Sequence, residues 1–316
     1  MRKCFSLFLI FSAVVYVVPC KAITVLPGGD STRLLSLYED TLMELQHEKV
    51  KSHTSDDYKK EANEKFTAML KKALMLPGSF NYPFDSLTTM ARLTSPDKKF
   101  RILNWNIPWN DETCGFYGFV QSYNPKTKNY VVYELHDKGA TSATAEVNAG
   151  TPDNWFGMLY YKIIPSEVEK NTYIMLAWQG YSNIITRKII DIISLNPDGV
   201  PSFGKAIFKR PPTGYKSNTK RIVFQYSAQL YMSLEYNEDK KMIMYDHLAP
   251  PDPGLNGQYQ FYGPSFQVDA LEYINNAWVC MENVDARNMP NAKDKTYHAE
   301  GSKTPEKNKV IYVPQH

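Results

Sequence analysis

The stretch that decides the fold is residues 172–194, which read TYIMLAWQGYSNIITRKIIDIIS. Two apolar runs, rich in β-branched and aromatic residues, flank the polar link Gly-Tyr-Ser-Asn at residues 180–183. Such runs, bounded by turn-forming residues, are typical of β-strands, and a short polar link between them is typical of a hairpin. We therefore predict an antiparallel hairpin with strands at residues 172–178 and 184–194.

The same alternation of short apolar runs and turn residues extends from residue 87 to residue 285. Tight links at residues 123–126 (Tyr-Asn-Pro-Lys), 236–239 (Tyr-Asn-Glu-Asp) and 275–276 (Asn-Asn) predict further hairpins. The fold class is therefore mainly β, an antiparallel meander or sandwich. The other predicted strands are residues 100–107, 116–123, 130–135, 155–164, 221–227, 230–236, 241–247, 258–262, 266–273 and 277–285.

Three of these hairpins resemble one another in sequence. The turns at Asn124 and Asn237 each lead into a strand that contains a tyrosine followed by an acid, and Gly180 lies near the midpoint between them. A spacing of about 50 residues is typical of propeller blades. Propeller-like hairpin repeats are therefore the alternative fold. However, the hairpins of any antiparallel meander resemble one another because they share turn chemistry, so we prefer a meander or sandwich without repeats.

Residues 30–76 differ from the rest because their apolar residues recur with helical spacing. Asp and Ser residues at 55–57 begin a second helix, and Pro77-Gly78 ends it. The sequence predicts two antiparallel helices joined by a polar turn near residues 51–54. The domain boundaries that we predict are a signal peptide at 1–22, a helical hairpin at 23–85, the β domain at 86–285 and a polar tail at 286–316.

Residues 1–22, MRKCFSLFLIFSAVVYVVPCKA, have the pattern of a secretory signal peptide. Two basic residues precede an uncharged and largely apolar run, and residues 20–22 (Cys-Lys-Ala) place small side chains for cleavage before Ile23. We predict an exported protein, located in the periplasm, in the outer envelope or outside the cell.

Two alternatives compete with the signal peptide. A membrane anchor needs about 18–20 apolar residues, and this run is shorter, so we expect no transmembrane segment in the mature chain. Lipidation of Cys20 is the second alternative, but Pro19 precedes that cysteine where a small residue is normal.

Charge composition bears on the kind of partner that the protein binds, and cysteine content bears on whether it contains a disulfide. The full chain has 36 basic and 33 acidic residues, and the three basic residues that exceed the acids all lie in residues 1–22. The mature chain is thus balanced in charge, which argues against a nucleic-acid partner. Cys114 and Cys280 remain after cleavage and form a candidate disulfide in an oxidising compartment, with two separate buried thiols as the alternative.

Three segments carry a resemblance to other proteins: residues 116–124 (FYGFVQSYN), 154–164 (NWFGMLYYKII) and 260–264 (QFYGP). The region from about residue 100 to residue 285 resembles exported bacterial proteins of unassigned function. This resemblance implies a bacterial envelope or extracellular setting, and it implies no activity and no site residue.

The segment at residues 104–112, NWNIPWNDE, supplies the best ligand-binding candidates. A tryptophan offers a flat apolar face and one donor, and beside amides and carboxylates it can stack on a sugar ring and bind its hydroxyls. The alternative is that these rings only cover the ends of a β-sheet core. The candidate ligand-binding residues are Trp105, Asn106, Trp109, Asp111 and Trp155.

Acid–base chemistry is the second hypothesis. Histidines stand beside acids at two predicted strand ends, and a histidine so placed can act as a general base or bind a metal. The weak catalytic candidates are His136, Asp246, His247 and Asp252, with Glu134 beside the first. The spacing matches no common metal or cofactor motif, so we predict no metal and no cofactor.

The sequence therefore predicts an exported protein with a non-catalytic binding or structural role, toward a glycan or an envelope protein. Whether it is an enzyme is uncertain, and we lean toward no. The alternative is an exported hydrolase that uses the histidines and acids at strand ends, with or without a metal.

Overall fold

The computed structural model describes residues 29–139, 142–275 and 277–284. The predicted signal peptide, Asn276 of one predicted turn and the predicted polar tail lie outside the described residues. Within them, no helix is long and apolar enough to cross a membrane.

The N-terminal part of the described chain is a helical hairpin, as predicted. Helix α1 (Gly29–Glu48) and helix α2 (Asp56–Leu74) pack against each other. Ser55 caps α2 by accepting a hydrogen bond from the Tyr58 amide at 3.2 Å. Acids in the first turn of α2 and lysines in its last turn match the direction of the helix dipole. A single turn of 3-10 helix, Ser79–Asn81, follows.

Fourteen strands and a third helix make up the rest of the described chain. Helix α3 (Ser142–Val147) lies between β4 and β5. In chain order the strands are β1 (Ala91–Thr94), β2 (Phe100–Pro108), β3 (Cys114–Asn124), β4 (Asn129–His136), β5 (Leu159–Pro165), β6 (Thr172–Gly180), β7 (Ile185–Leu195), β8 (Pro201–Phe203), β9 (Phe208–Arg210), β10 (Ile222–Ser227), β11 (Leu234–Asn237), β12 (Met242–Ala249), β13 (Gly263–Ile274) and β14 (Ala277–Met281).

These strands form three sheets, which follow one another along the chain except that β9 of the third sheet precedes β10 of the central sheet. The first sheet has the order β1-β2-β3-β4, the central sheet β10-β7-β6-β5 with β8 beside β7, and the third sheet β11-β12-β13-β14-β9. All pairings are antiparallel except that between β14 and β9. The mainly β, antiparallel fold class is thus confirmed.

The central sheet is covered on both faces. One face shares a core with the first sheet, where Met175 and Ile189 of the central sheet pack with Ile102 and Val120. The opposite face shares a second core with the third sheet, through residues such as Leu176 and Ile190. The sheets are therefore stacked in layers, like a sandwich extended by one sheet.

The helical hairpin forms the outermost layer on the first sheet. Leu42 of α1 and Phe66 and Leu70 of α2 are fully buried against Leu103 and Phe119. Each fully buried side chain of this kind contributes about 2 kcal/mol of transfer free energy. The hydrophobic stripes of the helices thus supply the cover that the first sheet needs on its outer face.

The hairpin turns at residues 123–126, 180–183 and 236–239 occur as predicted, and each belongs to a different sheet. They join the third and fourth strands of the first sheet, the second and third of the central sheet, and the first and second of the third sheet. Because the positions differ, their similarity reflects turn chemistry and not repetition of one unit. The predicted strand at residues 258–262 is wrong, since Tyr259–Phe261 form a turn of 3-10 helix.

The predicted disulfide is also wrong, because Cys114 and Cys280 are free thiols. Cys114 packs against the core between the first and central sheets, and Cys280 against the core between the central and third sheets. The central sheet separates them. Burial raises the pKa of both thiols, which makes them less reactive.

A lysine is buried beneath the helical hairpin. Lys49 follows α1, is fully buried, and donates a hydrogen bond from Nζ to Thr89 Oγ1 at 3.0 Å. Its Nζ lies 4.8 Å from the ring centroid of Phe66 and 5.8 Å from that of Trp105. No carboxylate among the described residues pairs with it, and burial lowers the pKa of Lys49 from 10.5 to about 7.

We predict that Lys49 makes the stability of the protein depend on pH. Between about pH 7 and 10.5 the unfolded chain binds a proton at Lys49 that the folded chain does not, so the free energy of unfolding rises with pH there. Lys49→Met should remove this rise, which is on the order of 3 kcal/mol, and should stabilise the protein at low pH. Urea unfolding at about pH 6.5 and 9.5 measures it.

Lys72→Met is the matched control, because Lys72 lies on the exposed face of α2. Its unfolding curves should follow those of the unmodified protein at both pH values. An unchanged pH dependence in Lys49→Met would show that Lys49 is charged in the folded state.

Candidate functional site

The tryptophan at position 105 is not available to a ligand, so the prediction that it stacks on a sugar is wrong. Trp105 is fully buried beneath α2, and its Nε1 donates a hydrogen bond to Asn63 Oδ1 at 2.8 Å. Its ring also meets Phe66 edge-on, with 5.1 Å between centroids. Strand alternation places it on the face of β2 that the helices cover.

Asn106 and Asp111 also have local partners. The half-buried Asn106 donates from Nδ2 to Cys114 Sγ at 3.7 Å, on the opposite face of β2 from Trp105. The exposed Asp111 accepts hydrogen bonds from the Thr113 amide and hydroxyl, which shapes the turn between β2 and β3. The structure therefore does not gather these two side chains with Trp109.

Trp155 belongs to a buried polar network between the first and central sheets, and its predicted role as a stacking face is wrong. Its Nε1 donates to the Tyr160 hydroxyl at 3.1 Å, and that hydroxyl donates to Asp191 Oδ2 at 2.7 Å. Asp191 also accepts from Arg221 Nε at 2.9 Å, and Arg221 donates to the carbonyl of Ala145. Burial and the Asp191 carboxylate raise the pKa of Tyr160, so its hydroxyl stays protonated.

The remaining tryptophan of the hypothesis, Trp109, lines a cleft of about 630 Å³ between α2 and the first sheet. We call this the helix–sheet cleft. Its volume is in the range of sites that bind small ligands. Its lining residues are Asn63, Glu64, Thr67, Ala68, Lys71, Trp109, Gly115, Phe116, Tyr117, Glu134, Leu135, His136, Asp137 and Lys138.

Strand register explains how the first sheet builds one wall of the helix–sheet cleft. Trp105, Tyr117 and His136 lie directly opposite one another on β2, β3 and β4. Opposed residues share a face, so this row runs along the helix-covered side of the sheet. Exposure increases along it, from buried Trp105 through half-buried Tyr117 to exposed His136. The cleft opens where the helices no longer cover the row.

Helix α2 supplies the other wall. Asn63, Thr67 and Lys71 are spaced by four residues and therefore lie on one helix face. Lys71 Nζ bridges the cleft to Glu134 Oε2 at 2.8 Å. Asn63 is 3% exposed, and among the described residues its Nδ2 has no partner. This polar stripe within an amphipathic helix was the signal that sequence reasoning could have used, and it was missed.

Trp109 is held against a glycine that has no side chain to displace it. A Cβ at Gly115 would lie 2.8 Å from Trp109 Cζ2 and 3.0 Å from its Nε1, so the indole rests on the Gly115 backbone. Within the described part of the chain, no residue accepts a hydrogen bond from Trp109 Nε1. The indole N–H is thus a free donor beside the cleft.

Tyr117 adds a second aromatic ring and a second donor. Burial, helped by the nearby carboxylates of Asp137 and Glu64, raises the pKa of Tyr117. The hydroxyl therefore remains protonated. Close by, the Thr67 hydroxyl is buried with no partner among the described residues. The helix–sheet cleft thus combines aromatic surface with amide, hydroxyl and carboxylate groups, which suits a ligand rich in hydroxyls.

The structure brings together two of the acid–base candidates, Glu134 and His136, in the helix–sheet cleft, and it places the others elsewhere. Glu134 and His136 lie on the first sheet, whereas Asp246 and His247 lie on the third, and Asp252 caps a 3-10 turn by accepting from the Gly254 amide. Asp246 accepts from the Ser233 amide at 2.7 Å. His247 Nδ1 lies 2.8 Å from Asp269 Oδ2, a buried partner that the sequence reasoning missed. The described residues contain no cluster of ligands suited to a metal ion.

In comparisons with known proteins, no family model, curated protein or solved structure matches this chain.

We predict that the tryptophan indole N–H groups separate into protected and open classes. The signals of Trp105 and Trp155 should exchange slowly with solvent because both groups are buried and hydrogen-bonded, and that of Trp109 should exchange fast. Nitrogen-15 NMR of the five tryptophans measures this. Gly115→Ala should shift the Trp109 signal most, because the added Cβ collides with its ring. Slow exchange at Trp109 would contradict an open cleft.

A second prediction concerns the network around Asp191. Asp191→Asn should lower the free energy of unfolding by about 3–5 kcal/mol, because it leaves the buried Arg221 guanidinium without its carboxylate. Arg221→Met should cost a similar amount for the converse reason. The double variant should lose less than the sum of the two single losses. Urea unfolding of all four proteins measures the coupling, and additive losses would mean that the pair is not coupled.

Proposed function

We propose that this protein is exported and binds a glycan, without catalysis, in the helix–sheet cleft. The observation that carries the proposal is the placement of Trp109 and Tyr117 beside amide, hydroxyl and carboxylate groups at one opening. Flat aromatic surface binds the apolar face of a sugar ring, and the polar groups bind its hydroxyls.

The length of the groove supports an oligosaccharide as the ligand. A neighbouring groove of about 530 Å³ shares Lys71, Glu134 and His136 with the helix–sheet cleft. It continues over the edge strand β4 to residues 151–153 and Pro201. Two connected grooves give room for more than one sugar ring.

The N-terminal sequence supports the exported setting. The signal-peptide pattern of residues 1–22 predicts transport out of the cytoplasm. Glycans of the envelope and the extracellular space occur in the compartments to which such a protein is exported. Two lysines, Lys71 and Lys138, and three acids, Glu64, Glu134 and Asp137, line the cleft, which favours a ligand without negative charge.

The hydrolase alternative has less support from the geometry. A hydrolase needs two catalytic groups that reach one bond. Glu134 is held by Lys71, and the second histidine–acid pair lies on another sheet.

The test is binding of soluble gluco-, chito-, xylo- and manno-oligosaccharides, measured by isothermal titration calorimetry. At least one of them should bind, and Trp109→Ala should weaken that binding about tenfold or more through loss of the stacking face. Glu134→Gln should weaken it less. Chromatography of the incubated sugars should show no cleavage products.

Phe266→Ala is the matched control, since Phe266 is a fully exposed aromatic residue on the third sheet. It should bind as the unmodified protein does. Failure of every sugar to bind would overturn the proposal, as would unchanged affinity in Trp109→Ala. Cleavage products would favour the hydrolase.

A further inference from the structure

A second pocket, of about 360 Å³, lies at the end of the central sheet and shares no lining residue with the helix–sheet cleft. Its floor is formed by Trp178 and Gly180 of β6 and by Thr186 and Lys188 of β7. Tyr226 of β10 and Tyr231 of the following loop form its sides. We call it the Lys188 pocket.

Strand register shows which face of the central sheet carries Lys188. Trp178, Lys188 and Phe224 lie opposite one another on β6, β7 and β10. The next row on that face, two residues further, consists of Leu176, Ile190 and Ile222, all buried in the core with the third sheet. The same face also carries Thr186 and a second lysine, Lys162, which lies opposite Leu176 and is paired with Glu238. Lys188 differs from Lys162 because no carboxylate among the described residues forms an ion pair with it.

Lys188 has aromatic neighbours and no anion. Its Nζ lies 4.6 Å from the ring centroid of Tyr161 and 5.6 Å from that of Tyr231. No carboxylate of the described chain forms an ion pair with it. The side chain is half-buried, and burial lowers the pKa of Lys188 because the charge is partly desolvated. An anion that pairs with such a cation binds favourably. The free-energy cost of desolvating the lysine is already included in the free protein, so it does not count against binding.

We propose that the Lys188 pocket binds a small organic carboxylate that carries a ring. The carboxylate would pair with Lys188, and the ring would lie between Trp178 and Tyr231. Tyr231 is 74% exposed, so it can close over a ligand without leaving a core. This proposal does not depend on the glycan site.

The position of the other charged group agrees with this assignment. Glu112 is the carboxylate that borders the Lys188 pocket, and it is exposed, so water screens its repulsion of an anion. Gly180 keeps the floor open, because a Cβ there would lie 2.8 Å from the Trp178 ring. The pocket thus has one desolvated cation, aromatic walls and space between them.

The experiment compares 4-fluorobenzoate with 4-fluorobenzamide, which has the same shape and no charge. Fluorine-19 NMR line broadening, with the full chain, measures each dissociation constant. We expect the benzoate to bind at least about tenfold more tightly than the benzamide. Lys188→Met, which keeps the apolar stem, should bring the benzoate down to the affinity of the benzamide. Tyr231→Ala, at an exposed position, should weaken both ligands.

Lys162→Met is the matched control, because Lys162 also lies over a tyrosine ring of this region but is paired with Glu238 at 2.6 Å. It should leave benzoate binding unchanged. Equal binding of benzoate and benzamide, absence of binding by both, or unchanged benzoate binding in Lys188→Met would each overturn the proposal. So would displacement of the benzoate by an equal concentration of inorganic phosphate, because charge alone would then be recognised.

Discussion

The structure depends on a central sheet that forms a hydrophobic core on each of its two faces. β6 and β7 are the inner strands of this sheet. In β6, each residue from Tyr173 to Ala177 is buried and packs into one core or the other. A strand of this kind must be apolar at successive positions and not only at alternate ones. The first and third sheets cover the two faces of the central sheet, which fixes their positions. The helices then cover the outer face of the first sheet.

One buried network of polar groups joins these layers. Asp191 and Arg221 form a buried ion pair, and Tyr160 and Trp155 complete the hydrogen bonds around it. Leaving any one of these groups without its partner would cost more than the interaction contributes. The network therefore specifies how the loop before β5 and the helix α3 sit on the central sheet, which removes Trp155 from any role at the surface.

The two candidate sites arise where one layer ends before the next. The helix–sheet cleft lies where α2 no longer covers the row from Trp105 to His136, and the Lys188 pocket lies where the third sheet no longer covers the central one. At both places a row of side chains passes from a core into solvent. The alternation of side chains along each strand builds the core. At the end of a layer, the same alternation places polar side chains such as His136 and Lys188 in an opening.

The sequence by itself determined the elements and the class of fold. Residues 172–194 predict the central hairpin, and the spacing around Ser55 predicts the second helix, because strand alternation, helical period and turn chemistry act over neighbouring residues. It also pointed to Trp109 and His136, but it grouped Trp109 with Trp105 and Trp155, and His136 with Asp246, His247 and Asp252. Only the tertiary structure decided which of these rings is buried and which lines a cleft. That choice depends on cross-strand register and on the stacking of layers, and both are set by contacts between residues far apart in the chain.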